Sequence, residues 1–272
     1  MASEAGKLNN MIKISVVMPS YQSALFIHKT LQSIVEQTVI PSQVIIIDDG
    51  STDNTCSIIE EFSKTYPELN IELIRRSHKG PGAARNIGVR GATSEWIAFL
   101  DSDDFWFPNK LEICLQAIRE NQQSNFFCHN ENMIAEDGST TLLDYSRLYS
   151  AEKPLTEQLF KINLFSTSAV VCKRDNILNV GGFDETLSSA QDYELWLRMS
   201  PQILPYFIRQ VLGIYTIREG NISTTRHFKR LKNIWRVLSI HRTKAQNFFI
   251  FLHIIFRVSL SHIAGFFRTI WK

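Results

Sequence analysis

Two aspartates one residue apart, Asp101 and Asp103, follow the apolar run 96–100, and Asp104 extends the acidic cluster. A strand of this kind predicts that the carboxylates meet on a turn at the rim of a sheet. Their hard oxygen atoms suit Mg²⁺ or Mn²⁺. Such an ion commonly bridges protein carboxylates to a diphosphate, which suggests a nucleotide substrate. For this cluster alone, a solvated surface turn remains the alternative interpretation.

Two further polar clusters follow predicted strands. Residues 12–18 form a strand pattern closed by Pro19, which is followed by Ser20 and Tyr21, and residues 44–47 end at Asp48 and Asp49. Because ligands of parallel α/β sheets bind at the carboxyl ends of the strands, the three clusters together predict one site.

Helical patterns separate these strands. Ser51 is a candidate N-cap, residues 82–89 predict a helix of small residues, and Pro108 fits the first turn of another helix. The helix before Pro41 is expected to bury a face formed by Leu25, Leu31, Ile34 and Val35. Repeated strand–helix units predict an α/β fold with a mostly parallel sheet flanked by helices.

The second half has a weaker pattern. Residues 120–160 show little periodicity and predict loop-rich connections, whereas residues 166–172 are a strand candidate. A turn is expected at 181–185, before an amphipathic helix over 192–199 whose Leu195, Trp196 and Met199 point inward.

Composition indicates a globular chain of 272 residues, with 44% apolar and 21% charged residues. Its four cysteines form no CxxC pair, which argues against a zinc site or a disulfide framework. Residues 1–225 carry 19 basic and 27 acidic residues, whereas 226–272 carry ten basic and no acidic ones. An acidic body with a basic tail predicts that the tail meets an anionic surface.

The tail pattern is a basic amphipathic helix, strongly apolar over 248–267. Its polar face is predicted to contain Gln246, His253, Arg257, Ser261 and Arg268. A membrane-surface helix, packing on the body or on a second subunit, and a membrane span are three open alternatives. A span would place Arg257 near the bilayer centre, at a cost of at least ~2.5 kcal/mol. The tail aromatics are not interleaved with cations, which argues against nucleic acid.

Six ordered motifs give the chain a resemblance to glycosyltransferase family 2. They are Val16-Val-Met-Pro-Ser-Tyr21, Ile47-Asp-Asp-Gly-Ser-Thr-Asp53, Gly80-Pro-Gly-Ala-Ala-Arg-Asn-Ile-Gly88, Phe99-Leu-Asp-Ser-Asp-Asp104, Gly181-Gly-Phe-Asp-Glu185 and Gln191-Asp-Tyr-Glu-Leu-Trp196. The resemblance implies a GT-A fold over residues 1–225, with a donor half at about 12–105 and an acceptor half at about 106–225. Residues 226–272, the tail, lie outside it.

The resemblance also implies inverting transfer of a single sugar from a nucleotide diphosphate sugar, first of all a UDP-sugar, with dTDP-rhamnose as the alternative donor. Asp192 is the implied general base, and Asp103 with Asp101 would hold Mn²⁺ or Mg²⁺. Asp104 either starts the next helix or supports the metal site. The implied donor-binding residues are Pro19, Ser20, Tyr21, Asp48, Asp49, Arg85 and Asp101, and those on the acceptor side are Asp184, Glu185 and Gln191.

Two departures from the family pattern matter. Gln191 stands where an acidic residue commonly precedes the base, and Arg218 stands where many members carry a histidine. These are the only support for a non-catalytic scaffold that binds a sugar nucleotide. A nucleotidyltransferase would need a basic loop after the first strand, which this sequence lacks. We expect a cytoplasmic enzyme at the inner face of the plasma membrane, acting on a lipid-linked or surface glycan.

Overall fold

The computed structural model describes residues 12–217, 227–245 and 251–260. The strands are β1 (Ile14–Ser20), β2 (Gln43–Asp48), β3 (Ile71–Arg75), β4 (Trp96–Phe99), β5 (Phe105–Trp106), β6 (Phe126–Ile134), β7 (Thr140–Leu143), β8 (Val170–Lys173) and β9 (Pro205–Thr216). The helices are α1 (Ile27–Val35), α2 (Thr55–Thr65), α3 (Pro81–Gly91), α4 (Lys110–Glu120), α5 (Tyr145–Leu148), α6 (Leu155–Lys161), α7 (Arg174–Leu178), α8 (Gln191–Met199) and α9 (His227–Ile240). Residues 251–260 are also helical.

The strands of the described chain form a single mixed sheet in the order β3-β2-β1-β4-β8-β6-β9-β5, with β7 paired to β6. The β3-β2-β1-β4 half is parallel, and β6 pairs β9 in parallel. Strand β8 runs antiparallel to both β4 and β6. The α/β fold class is therefore confirmed, and the parallel character belongs mainly to the first half.

Two apolar layers cover the faces of the sheet. Alternate residues of β1 enter different layers, since Val17 packs on the side of α3 and α8 whereas Val16 and Met18 pack on the side of α1, α2 and α4. All seven residues of β1 are buried. This burial on both faces explains why β1 is apolar from Val16 to Pro19, and the hydroxyl of buried Ser15 is hydrogen-bonded to Ser94 at 2.9 Å.

Strand β1 continues through Pro19 to Ser20, so Pro19 does not close it. Pro19 pairs with Ile47 and Ser20 with Asp48. The neighbour β4 already ends at Phe99, opposite Val17. The missing N–H of Pro19 therefore interrupts no ladder bond.

Other local predictions are wrong. Helix α2 begins at Thr55 after Asn54, because the Ser51 hydroxyl instead accepts a hydrogen bond from the Gln22 N–H. Leu25 precedes α1 and is 89% exposed. Helix α4 begins at Lys110, so Pro108 lies before the helix. The predicted inward residues of α8, namely Leu195, Trp196 and Met199, are buried, which confirms that face.

The prediction of loops over 120–160 is also wrong, because this segment contains β6, β7, α5 and most of α6. Strand β6 buries His129, Asn130 and Glu131 in its middle. Polar residues at buried positions conceal the apolar alternation by which a strand is recognised. Of the strand candidate at 166–172, only the end forms β8, after a 3₁₀ turn at Thr167–Ala169.

The described part of the tail packs on the body. Val237, Leu238 and Ile254 are buried, and His241 contacts the carboxylate of Glu194 in α8 at 3.2 Å. Among the described residues no helix is long and apolar enough to cross a membrane. The predicted polar-face residues Gln246, Ser261 and Arg268 lie outside the described residues.

Candidate active site

The first corner of the candidate site lies where β1 and β2 end side by side. Asp48 accepts a hydrogen bond from the Ser51 N–H at 3.0 Å through Oδ2. Its Oδ1 and the hydroxyl of Ser20 are buried, and within the described chain neither has a hydrogen-bond partner. Buried polar atoms without partners are costly, which is consistent with a ligand that supplies them.

Asp49 ties this corner to the loop that leads into α3. Its carboxylate accepts hydrogen bonds from the N–H groups of Lys79 at 3.0 Å and Gly80 at 2.7 Å. Arg76 lies 3.3 Å and His78 2.8 Å from the same carboxylate. Asp49 therefore organises the loop here, and its predicted contact with a base or ribose stays a prediction.

The ring of Tyr21 stacks on His78, with ring centroids 4.3 Å apart and planes inclined by 28°. Tyr21 is 44% exposed, so one aromatic surface stays accessible next to Asp49. Sequence reasoning identified Tyr21 and missed Arg76 and His78. The basic run at 75–79, one strand downstream of Asp48 and Asp49, was the available signal.

The second corner pairs Arg85 of α3 with Asp101. Their nearest atoms lie 2.5 Å apart, and Arg85 is buried. The guanidinium also lies 5.6 Å from the ring centre of Phe183. Arg85 is therefore engaged inside the protein, and its predicted contact with a diphosphate stays a prediction.

The two remaining aspartates of the cluster differ in environment. Asp103 is partly exposed, whereas Asp104 is buried and accepts hydrogen bonds from the Ser168 hydroxyl at 2.6 Å and the Thr216 N–H at 2.9 Å. Burial raises the pKa of the Asp104 carboxyl, and Asp103 and Glu131 raise it further. Asp104 thus fastens the turn to the second half of the sheet, and it does not start α4.

Asp103 and Asp101 fit a divalent cation that is shared with a substrate diphosphate. No group of three metal-ligating side chains exists among the described residues. Mg²⁺ and similar ions are commonly held by one or two carboxylates, with phosphates and water completing the shell. Mutual repulsion among the carboxylates, which raises the pKa of Asp104, would be offset by such a cation.

Asn86 fastens α3 to the turn at 181–185. Its amide nitrogen donates to the Phe183 carbonyl and to Glu185 Oε1, both at 2.9 Å, and its Oδ1 accepts from the Phe183 N–H at 2.7 Å. A Cβ at Gly182 (φ +76°) would lie 2.4 Å from Asn86 Oδ1, so this close approach requires glycine. The turn at 181–185 is therefore locked onto α3.

The same turn leads into α8. Asp184 accepts from the N–H and hydroxyl of Thr186, which shapes the turn. Gln191 is buried and lies against Gly82, where an added Cβ would be 3.3 Å from Gln191 Cγ. The next residue, Asp192, lies in the first turn of the same helix, α8.

The carboxylate of Asp192 is partly buried and accepts a hydrogen bond from the Asn163 side-chain amide at 2.9 Å. An N-terminal carboxylate on a helix is also favoured by the helix dipole. Sequence reasoning singled out Asp192 and missed Asn163, because nothing in the local pattern at 162–165 indicates a contact 29 residues away. Arg218 lies outside the described residues.

A buried polar group under the acidic cluster was also missed. Glu131 of β6 accepts a hydrogen bond from the Tyr145 hydroxyl at 2.9 Å, and burial raises its pKa to about 7. Burial lowers the pKa of nearby His129 to about 3 and that of Lys110 to about 8. These groups lie beneath the second half of the site, and burial favours the neutral form of each of them.

Comparison with known proteins identifies this arrangement. The family description "Glycosyl transferase family 2" matches residues 15–176. An Escherichia coli protein, UDP-Glc:alpha-D-GlcNAc-diphosphoundecaprenol beta-1,3-glucosyltransferase WfgD, is 30% identical over 227 residues, covering 83% of this chain and 85% of WfgD. The chain belongs to glycosyltransferase family 2. The resemblance predicted from the six motifs is confirmed, and the protein is a nucleotide-sugar-dependent transferase.

Other relatives are much longer than this glycosyltransferase. The chondroitin synthase of Escherichia coli is 28% identical over 256 residues, covering 89% of this chain but only 35% of the synthase. The chain thus spans about a third of that relative.

Solved structures share the fold of this glycosyltransferase. TarS 1-349 of S. aureus in complex with UDP-GlcNAc aligns with a TM-score of 0.71 at 22% identity, over 93% of this chain and 73% of TarS. The mannosyltransferase PcManGT of Pyrobaculum calidifontis, in complex with GDP-Man and Mn2+, aligns with a TM-score of 0.68 at 18% identity, over 93% and 71%.

Proposed function

We propose that this glycosyltransferase is a metal-dependent inverting enzyme that transfers one sugar from a UDP-sugar to a hydroxyl of a lipid-linked or surface glycan. The observation that carries the proposal is the position of Asp192. Gln191 packs on Gly82, which joins the start of α8, where Asp192 lies, to α3, whose Arg85 contacts Asp101. Helix α3 therefore links the element that carries Asp192 to the acidic cluster, and we propose that the two face the same substrates.

This placement supports a single-displacement reaction. Asp192 takes the proton of the acceptor hydroxyl as its oxygen forms a bond to the anomeric carbon, and the bond to the departing diphosphate breaks on the opposite side. Attack opposite the leaving group inverts the configuration. Base assistance of this kind contributes about 10²- to 10⁴-fold. Asp103 and Asp101 would hold Mn²⁺ or Mg²⁺, which would neutralise charge on the leaving diphosphate.

Several findings support the donor and acceptor classes. WfgD is named for UDP-glucose and a diphosphoundecaprenol-linked acceptor, and TarS has been solved with UDP-GlcNAc. The mannosyltransferase was solved with GDP-Man and Mn2+. GDP-sugars are therefore the donor class against which binding of UDP-sugars is compared. A dTDP-sugar remains the second choice, and a non-catalytic scaffold is the candidate of another class.

Thermal stabilisation by UDP-, dTDP- and GDP-sugars, each with and without Mn²⁺, tests the donor proposal. We expect a metal-dependent rise in Tm with UDP-sugars, with release of UDP when an acceptor is present. Asp103→Asn should abolish the metal-dependent part of the shift, whereas Asp175→Asn, the same change on an exposed residue of α7, should not. Equal shifts with and without metal would contradict a metal-bridged diphosphate.

We further propose that the tail places the enzyme on the inner face of the plasma membrane. On the helix at 251–260, Leu252, Phe256 and Leu260 form an outward stripe and are 45%, 62% and 50% exposed. Trp235 of α9 is 43% exposed beside this stripe and donates from its indole to the Ser259 hydroxyl at 3.2 Å. Since no acidic residue occurs in 226–272, the partner that fits is an anionic lipid surface.

Cosedimentation with vesicles of anionic or purely zwitterionic lipid tests the membrane proposal. The double variant Leu252→Ser/Leu260→Ser should lose most binding to anionic vesicles. Leu142→Ser/Leu148→Ser, the same change at two leucines exposed to 53% and 51% elsewhere, is the matched control. An equal loss of vesicle binding in both double variants, or equal binding of the parent to anionic and zwitterionic vesicles, would contradict the proposed membrane contact of the tail.

A further inference from the structure

We infer that Asn163 is a positioning residue that orients the Asp192 carboxylate for proton transfer. Its Nδ2 donates to Asp192 Oδ2 at 2.9 Å across 29 residues of chain. This inference rests on the proposed role of Asp192 as general base. With Oδ2 held by the amide, Oδ1 is the oxygen left to take the proton from the acceptor hydroxyl, and its direction is fixed.

Asn163 is itself held on its other side. Its Oδ1 accepts a hydrogen bond from the Phe165 N–H at 3.3 Å. The two residues that follow, Leu164 and Phe165, are 0% and 1% exposed, so they anchor the segment in the core. The amide therefore cannot rotate its nitrogen away from Asp192 without giving up the Phe165 contact.

The chain before Asn163 is fastened from two directions. The Tyr193 hydroxyl, from the residue after Asp192, donates to the Phe160 carbonyl at 3.1 Å. Arg257 of the tail donates to the Lys161 carbonyl, and Phe251 packs near Phe160 with ring centres 6.4 Å apart. The end of α6, helix α8 and the tail helix thus form one frame around the Asn163–Asp192 contact.

We assign the hydrogen bond between Asn163 and Asp192 a catalytic role in addition to its structural one. The contact fixes the orientation of the carboxylate, and misplacement of a catalytic group by about 1 Å costs about 100-fold in rate. Gln191 supplies no second carboxylate at this position, so Asn163 supplies the polar neighbour instead.

The substitution Asn163→Asp removes the N–H donor of the side-chain amide and keeps its acceptor oxygen. The new side chain has the same shape and keeps an oxygen for the Phe165 N–H, but it no longer donates to Asp192. We expect kcat to fall about 10- to 100-fold, while the Tm shift produced by UDP-sugar and Mn²⁺ stays unchanged. We also expect the KM for the donor to stay within twofold of that of the parent, since the variant keeps the proposed donor-binding residues.

Asn109→Asp is the matched control, since it makes the same change at an exposed residue before α4. Asn163→Ser, too short to reach Asp192, should reproduce the kcat loss with an unchanged donor KM, which guards against a folding defect in one variant. A kcat within twofold of the parent in both Asn163 variants, or a donor KM that changes as much as kcat does, would overturn the inference. Asp192→Asn is measured in parallel, because normal turnover there would refute the base assignment itself.

Discussion

The guanidinium of Arg85 lies 2.5 Å from Asp101 Oδ1, and this pair joins helix α3 to the turn after β4. The side chain of Arg85 is 7% exposed and that of Asp101 is 29% exposed. Arg85 Nε is buried without a hydrogen-bond partner among the described residues. The charge of Arg85 thus holds Asp101 in place beside Asp103, which orients the acidic cluster before any substrate binds.

Replacing Arg85 tests this relationship. Arg85→Met leaves Asp101 without its cation, so the free energy of unfolding should fall by about 2 kcal/mol. The Tm shift produced by UDP-sugar with Mn²⁺ should also weaken. The control is Arg90→Met, the same change at an exposed position of α3. Urea unfolding of both variants decides the matter, and equal stabilities would contradict a structural role of the pair.

Asp192→Asn tests the proposed base. The variant keeps the size of the side chain but cannot take a proton, so turnover should drop by about two or more orders of magnitude. Donor binding should be retained, because Asp192 belongs to the acceptor side of the cleft. Single-turnover release of UDP measures the first effect and Tm shifts the second. Turnover near that of the parent would reassign the base.

Close packing of α3 on the sheet predicts different outcomes for two glycines of this helix. A Cβ at Gly88 would lie 2.5 Å from Val17 Cγ1 and 2.8 Å from Ile47 Cδ1. Gly88→Ala should therefore destabilise the protein by about 1–3 kcal/mol. At Gly91 the nearest atom, Ile45 Cδ1, is 3.7 Å away, so Gly91→Ala should be neutral or slightly stabilising. Similar urea midpoints for the two variants would argue against this packing.

The buried carboxyl of Glu131 predicts a pH-dependent stability. Burial raises its pKa from 4.5 to about 7, so the folded protein retains a proton that the unfolded chain has lost. The free energy of unfolding should consequently fall as pH rises from about 4.5 to 7. Glu131→Gln should flatten this dependence and leave the protein more stable than the parent above pH 7.

Urea unfolding between pH 5 and 8 measures this effect, and Glu68→Gln, at an exposed residue, serves as the control. His129, whose pKa burial lowers to about 3, acts in the opposite direction, because its stability contribution is lost as pH falls below 6.5. A parallel pH dependence in the Glu131→Gln variant and the parent would show that Glu131 is ionised in the folded protein.

Strands β1, β2 and β4 of the parallel half could be predicted from the sequence because each is short, mostly apolar and followed by a polar turn. The same reasoning placed Ser20, Asp48 and the cluster at 101–104 on one rim, and adjacent registers confirm the first two. Strands β6 and β9 were not predicted. In β6, buried His129 and Glu131 give no alternation of polarity, so the local pattern carries no strand signal.

The sequence by itself determined the family, the fold class and the identity of the candidate site residues, because short motifs record which side chains each turn must carry. Only the tertiary structure decided their partners. Arg85 pairs with Asp101 across 16 residues, and Asn163 holds Asp192 across 29. The sequence of the tail left contact with a membrane and contact with protein open. In the structure the tail buries Val237 and Ile254, while Phe256 stays exposed. Such contacts depend on the path of the whole chain, which local periodicity does not encode.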